Sequence, residues 1–217
     1  MNTDIWTTFR KTCPVQLFPF LMVLAEFSDN TFVVGGATRD LLMGGTPNDY
    51  DIVTDIPMDR LIEIFEDGGF EVTKTGVAHL VLNVSLAGYI VEISNFRKDT
   101  KCDGRHAEVE IGTMVEDAHR RDFTVNSLYL NIRTGEVVDP TGLGLSDIAS
   151  RTLRFVGKPK DRIAEDYLRL FRFYRFIGKG FDPDPKSLRA CRELFTEAYG
   201  KIAPERVRNE LEKMVKV

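Results

Sequence analysis

Residues 32–55, FVVGGATRDLLMGGTPNDYDIVTD, constrain the fold of this chain more than any other stretch. Phe32, Val33 and Val34 form a short apolar run that Gly35 and Gly36 break, and residues 38–43 then carry a helical pattern. The stretch reads as strand, glycine turn, short helix, loop and second strand. A glycine turn feeding a helix start aims bare backbone N–H groups at one point, a geometry that suits phosphate. Arg39 lies in the first helical turn, where a cation opposes the helix dipole but would serve a triphosphate. Asp49 and Asp51 stand two apart on the second strand, which directs both carboxylates to one face. Such a pair repels itself unless a cation lies between, and Mg²⁺ with its preference for oxygen ligands and phosphate meets that need. Taken singly, Gly-Gly is usually a plain turn and Asp-x-Asp a solvated strand end. Together in one strand–helix–strand unit they point to phosphate and metal.

The chain has 217 residues, 43% of them hydrophobic, enough for a substantial packed core. Its net charge of -4 does not suggest a nucleic-acid binder. The charge is uneven, however. Between residues 151 and 175 stand Arg151, Arg154, Lys158, Lys160, Arg162, Arg169, Arg172 and Arg175 against only Asp161, Glu165 and Asp166. A local basic face binds a polyanion whatever the net charge. Cys13, Cys102 and Cys191 are odd in number and far apart, which argues against a disulfide framework and for a reduced, cytoplasmic setting. No signal-like start and no apolar run of membrane-spanning length is present, so no membrane partner is expected.

Apolar spacing predicts helices over 15–27 and 58–66, a strand near 70–72, and a hairpin of 80–84 with 89–93. Residues 98–105 are polar and charged and read as a loop. Residues 125–131 and 136–139 read as strand pieces, and the pattern is mostly helical from Leu145 onward. Asp182-Pro183-Asp184-Pro185 is a firm break before helices over 187–199 and 204–217. The expected fold class is α+β: a mixed α/β head over residues 1–145, then a helical part over 146–217, with the boundary near residues 142–152.

The opening stretch resembles the nucleotidyltransferase superfamily that includes DNA polymerase beta. More closely it resembles the class II CCA-adding enzymes and their poly(A) polymerase relatives, whose first motif has the form GG-x-x-RD-x-LL-G…D-x-D. The resemblance implies a polymerase-beta-like head, with Asp49 and Asp51 as the catalytic metal ligands and Gly35, Gly36 and Arg39 at the nucleotide. Glu92, on the second hairpin strand, would be a third metal carboxylate; the plainer reading is a strand residue paired with a nearby arginine.

Further motifs extend the likeness. FRKDTKCDGRHAEVE, from Phe96, is similar to the family's flexible loop, which assists the switch from C to A addition; Arg97, Asp99, Asp103, Arg105 and His106 match it. RRDFTVNSL is similar to the ribose and triphosphate motif, through Arg121, Asp122 and Asn126. Asp139-Pro140-Thr141-Gly142-Leu143-Gly144 resembles the hinge between head and neck, except that Leu143 separates glycines that are usually adjacent. Asp166, Arg169, Arg172 and Arg175 recur every three residues on a helix rich in Phe, Tyr and Leu, and so form a polar stripe on one side of it. A surface salt-bridge stripe is the commoner meaning of such a pattern; in a largely buried helix the stripe calls for a ligand. The segment resembles the family's EDxLRxxRFxRF, in which the Asp and first Arg read the incoming base.

The resemblance therefore implies Mg²⁺-dependent addition of C and A from CTP and ATP to the 3′ end of tRNA. A poly(A) polymerase, a partial CC- or A-adding enzyme, or a silent RNA- or nucleotide-binding module are the rival readings. Family members usually continue into body and tail domains that grip tRNA. A chain ending at Val217 implies a minimal member, a fragment, or a homodimer or separate partner that supplies the grip.

Overall fold

A computed structural model describes residues 5–86, 88–102 and 107–215. In chain order the elements are α1 (Ile5–Thr12), α2 (Leu17–Phe27), β1 (Thr31–Val34), α3 (Gly36–Leu42), β2 (Asp51–Thr54), α4 (Met58–Asp67), β3 (Glu71–Thr73), β4 (Val81–Leu86) and β5 (Tyr89–Asn95). They continue with β6 (Arg97–Cys102), β7 (Ala107–Ile111), α5 (Met114–Arg120), β8 (Tyr129–Asn131), β9 (Val137–Val138), α6 (Gly144–Ala149) and β10 (Thr152–Leu153). The last five are α7 (Pro159–Glu165), α8 (Leu168–Gly178), β11 (Asp182–Pro183), α9 (Pro185–Lys201) and α10 (Pro204–Val215).

One sheet in the order β3-β4-β5-β2-β1-β8-β9 organises the head, with β2 and β5 parallel and the other neighbours antiparallel. This is the mixed sheet with flanking helices that the sequence implied. β1 is a central strand with every residue buried, and its alternation serves two cores. Val33 joins the cluster formed with α1, α2 and α4, while Phe32 and Val34 join Val53, Phe96, Ala118 and Tyr129 on the opposite face. Asp51 shares that second face with Val53, two residues on.

Several boundaries differ from expectation, each for a local reason. The segment read as a polar loop forms the antiparallel β6–β7 hairpin, because cross-strand pairing satisfies its backbone without apolar side chains. Residues 124–126 form a 3₁₀ turn rather than a strand; the Thr124 N–H and hydroxyl turn to the Arg154 carbonyl and Asp147, and only Tyr129–Asn131 enters the sheet. α1 was not foreseen. It is one short amphipathic helix whose Trp6 and Phe9 rings stack at 5.3 Å and face Phe18. α9 starts earlier than expected because Pro185 takes its first position and Asp184 caps Ser187 N–H at 2.9 Å.

A second core gathers Leu153, Phe155, Ile163, Leu170, Phe173 and Phe176 of the helical part. Phe123 and Val125 belong to it too, so the centre and second half of the RRDFTVN segment are anchored in the neck's apolar interior. Phe155 stacks on Phe173 at 5.3 Å, and Phe123 meets Phe176 edge-on at 5.4 Å. This shared core holds α8 against the head and creates the cleft between them.

Candidate active site

A cleft of about 620 Å³ lies between the sheet's second face and α8. Gly35, Gly36, Arg39, Asp49, Asp51, Glu92, Arg97, Arg121, Asp122, Asn126, Asp166, Arg169, Arg172 and Arg175 all line it. Residues up to 140 positions apart in sequence thus meet at one surface. Asp103, Arg105 and His106 lie outside the described residues, and Asp99, on β6, is not among the lining side chains.

One end of the cleft is acidic. Asp51 opens β2, and parallel pairing sets it directly beside Glu92 on β5. Asp49 precedes the strand rather than lying on it, so the shared face comes from the cross-strand Asp51–Glu92 pair and not from an Asp49–Asp51 alternation. The Asp51 carboxyl is pushed up, first by its protein surroundings and then by the negative charges of Glu92 and Asp49, with partial relief from Arg121. Asp51 and Glu92 stand side by side, Asp49 lines the same cleft, and carboxylates so placed suit a divalent cation. Among the described residues no three candidate ligands close into a complete metal cage, so the protein offers part of a coordination shell. A metal completed by phosphate oxygens fits that donor set.

Next to the acids is a glycine cradle. Gly35 holds a φ of 69°, and a Cβ there would sit 3.5 Å from the Arg121 Nη1 and 3.7 Å from the Asp51 Oδ2. A side chain at this position would fill the gap between the guanidinium and the carboxylates, where a triphosphate would have to lie.

Arg121 is placed by a residue that the sequence reading passed over. Asp117, wholly buried on α5, accepts from Arg121 Nη2 at 2.8 Å and from the Tyr129 hydroxyl at 2.6 Å through one oxygen. Its other oxygen accepts from Arg120 Nε at 2.9 Å. Burial alone would raise this carboxyl, but Arg121, Arg120 and Tyr129 more than reverse that and hold it at about 2. The signal was available: Thr113-x-x-Glu116 is a capping box, present with both its hydrogen bonds, and it starts a helix that sets Asp117 one turn before Arg121.

The middle of the cleft is a chain of polar contacts joining head to neck. Arg39 ion-pairs with Asp40 at 2.7 Å and donates to Asn126 Oδ1 at 2.6 Å, and its guanidinium covers the Phe176 ring at 4.8 Å. Asn126 donates to Asp122 Oδ1 at 3.1 Å, and Asp122 pairs with Arg172 at 2.8 Å. Burial raises the Asp122 carboxyl, and Arg172, Asn126 and Arg169 bring it below the ordinary range.

The far end departs from the simple stripe. α7 ends at Glu165 and α8 begins at Leu168, so Asp166 sits off the helix in an extended junction. Its Oδ1 accepts from the Leu168 N–H at 3.1 Å, which caps α8. Nor do these side chains lack partners within the protein. Asp166 pairs with Arg206 at 3.1 Å, Arg169 with Glu165 at 2.7 Å, Arg172 with Asp122, and Arg175 with Glu210 at 2.6 Å. Burial alone therefore does not require a ligand here; the case for one rests on the cleft that Asp166 and Arg169 line. Lys179, Glu210 and Lys213 also line it. They come from a helix end and from α10, and only packing brings them in.

Comparison with known proteins shows the chain's family and fold. The poly A polymerase head domain family matches residues 31–154. The mitochondrial CCA tRNA nucleotidyltransferase 1 of Homo sapiens is 39% identical over 189 residues, 84% of this chain and 43% of that protein. The CCA-adding enzyme of Bacillus pumilus is 32% identical over 91% of this chain and 49% of its own length. The chain thus spans about half the length of the curated relatives it matches. Among solved structures, the Bacillus stearothermophilus CCA-adding enzyme in complex with CTP superposes with a TM-score of 0.78 at 29% identity, over 95% of this chain and 48% of that one. The Thermotoga maritima CCA-adding enzyme complexed with tRNA shares the fold at a TM-score of 0.80 and 22% identity. With the family match covering more than half its residues, this chain belongs to the poly A polymerase head domain family.

Proposed function

We propose that the protein adds C and A nucleotides from CTP and ATP to the 3′ end of tRNA. The RNA 3′-hydroxyl oxygen attacks the α-phosphorus, the bond to the β-phosphate breaks, and pyrophosphate leaves. The observation that carries this reading is that one cleft is lined both by Asp49, Asp51 and Glu92 and by Asp166 and Arg169. Gly35, Gly36, Arg39 and Arg121 lie between, where a triphosphate joins metal to base. Mg²⁺ held by Asp49 and Asp51, with Glu92 beside them, would acidify the attacking hydroxyl and neutralise charge on the leaving pyrophosphate. Residues 1–145 serve transfer, and 146–217 serve base and RNA recognition.

The chain's own residues account for selectivity. Asp122 and Asn126 stand where a ribose can be hydrogen-bonded, and Arg172 and Arg175 add positive charge for the triphosphate. Asp166 offers an acceptor and Arg169 a donor. Cytosine and adenine both present an amine beside a bare ring nitrogen and match this polarity. Uracil and guanine reverse it and would set a carbonyl against a carboxylate, a mismatch of about 1–3 kcal/mol. Cys13 and Cys191 are free and buried, with thiols pushed up to about 12 by burial, which suits a reducing cytoplasm. No helix among the described residues is long and apolar enough to cross a membrane.

The test is a product assay with Mg²⁺, tRNAs lacking three, two or one of the terminal CCA nucleotides, and each nucleotide singly. C, C and A should be added in turn, and Asp49→Ala or Asp51→Ala should abolish all three additions. Long A tracts would indicate a poly(A) polymerase, and a product stopping at CC a partial enzyme. Full turnover in both aspartate variants would overturn the metal site.

A further inference from the structure

A second groove, of about 320 Å³, lies between α7 and α9 and is lined by Pro159, Lys160, Lys186, Arg189, Ala190 and Glu193. None of these residues lines the cleft. Both acids of α9 are already neutralised: Glu193 pairs with Lys160 at 2.6 Å, and Glu197 with Lys201 at 2.7 Å. Lys186, Arg189 and Arg192 remain. All three are exposed, and none has an ion pair among the described residues. Standing three apart, they follow one another along the outer side of α9. Lys186 does not serve the helix either, since a cation in the first turn opposes the helix dipole.

Cations clustered without acids raise the local potential and draw a polyanion, whatever the net charge of the chain. The distance to the cleft fits a polyanion whose end lies there. α7 runs unbroken from Pro159, at the groove, to Glu165, which adjoins Asp166 of the cleft. Lys160 stands six positions before Asp166, about 9 Å at 1.5 Å per helical residue. A duplex strand carries one phosphate per about 3.4 Å of its axis, so an RNA end in the cleft brings the next few phosphates within reach of the groove. We infer that the α7–α9 groove is a second RNA-binding surface, on which Lys186, Arg189 and the neighbouring Arg192 grip the sugar–phosphate backbone upstream of the reacting 3′ end. It contributes affinity and not base choice, because phosphate carries no sequence information. This inference rests on the RNA acceptor proposed above.

The test uses the 217-residue protein and the fluorescence anisotropy of a labelled hairpin RNA with an acceptor-like stem and a 3′ overhang, so no turnover is needed. Lys186→Gln combined with Arg189→Gln should weaken RNA binding by about tenfold or more at about 100 mM salt, and should lower the slope of log affinity against log salt by about two. CTP affinity, from calorimetric titration, should stay within about twofold, since the cleft and the groove share no residue. Arg189→Lys keeps the positive charge and should hold RNA affinity within about threefold. Arg60→Gln combined with Lys74→Gln is the control: it removes the same charge from exposed side chains of the head and should leave the slope unchanged. An unchanged slope in the groove variant, an equal loss in the head control, or a loss of CTP affinity matching the loss of RNA affinity would each overturn the inference and leave the proposed activity standing. A wild-type protein that does not bind the hairpin RNA would overturn the RNA acceptor first, and this inference with it.

Discussion

Asp117 shows how much one buried carboxylate can set beside this cleft. It touches no cleft ligand itself, but Arg120, Arg121 and Tyr129 all converge on it. Removing its charge would leave two guanidiniums without their partner, and breaking a buried pair costs about 3–5 kcal/mol. Asp117→Asn should therefore destabilise the protein by about 3 kcal/mol in urea unfolding at neutral pH. The sign of the acid response follows from the same contacts. The folded-state value, about 2, lies below the ordinary 3.8. Its contribution is thus complete above 3.8 and is lost as pH falls toward 2. Wild-type stability should drop by about 2 kcal/mol across that window from this group, and the Asn variant should lack this part of the drop. Identical acid profiles for the two proteins would show that Asp117 is not the anchor described.

At the scale of elements, residues 139–144 carry the chain from β9 into α6. Asp139 accepts from the Gly142 N–H at 3.1 Å and the Leu145 N–H at 3.0 Å, which turns the chain into α6. The two glycines separated by Leu143 do different work. Gly142 holds a φ of 69° with open space around it. Gly144 is crowded: a Cβ would lie 2.7 Å from the Thr124 carbonyl and 2.7 Å from Leu128 Cδ2. Thr124 and Leu128 flank Asn126, so the squeeze would be felt in the cleft. Gly144→Ala should cost about 2 kcal/mol or more by overpacking, against about 1 kcal/mol for Gly142→Ala by backbone strain. Thermal unfolding of the two variants checks the order, and the reverse order would refute this assignment of the glycines.

At the scale of the whole molecule, a net charge of -4 coexists with a cleft lined by Arg39, Arg121, Arg169, Arg172 and Lys179. Partner choice follows the local field rather than the sum. Binding of a tRNA acceptor-stem RNA should therefore weaken steeply with salt, by about tenfold or more between 50 and 200 mM. Lys179→Gln should reduce the slope of log affinity against log salt by about one. A salt-independent affinity, measured by fluorescence anisotropy, would place recognition elsewhere.

By itself, the sequence determined the chemistry. The Gly35-Gly36 turn, the Asp49 and Asp51 carboxylates, the RRDFTVN segment and the arginine spacing of α8 are local patterns, and local patterns are readable because backbone geometry within a few residues depends on those residues. Most of the strands were readable for the same reason, through alternation and turns, whereas the mixed sheet was implied by the family resemblance. Tertiary structure alone decided which groups meet. Asp51 faces Glu92 because β2 and β5 pair in parallel register, and no spacing along the chain encodes that pairing. Asp166 leaves the helix because its side chain caps α8 and pairs with Arg206 of α10. Every arginine of the stripe found an acid from another turn or another helix. Periodicity reports which face a side chain is on, whereas its partner is set by how separate elements pack, since burying one charge is tolerated only where packing delivers the opposite one.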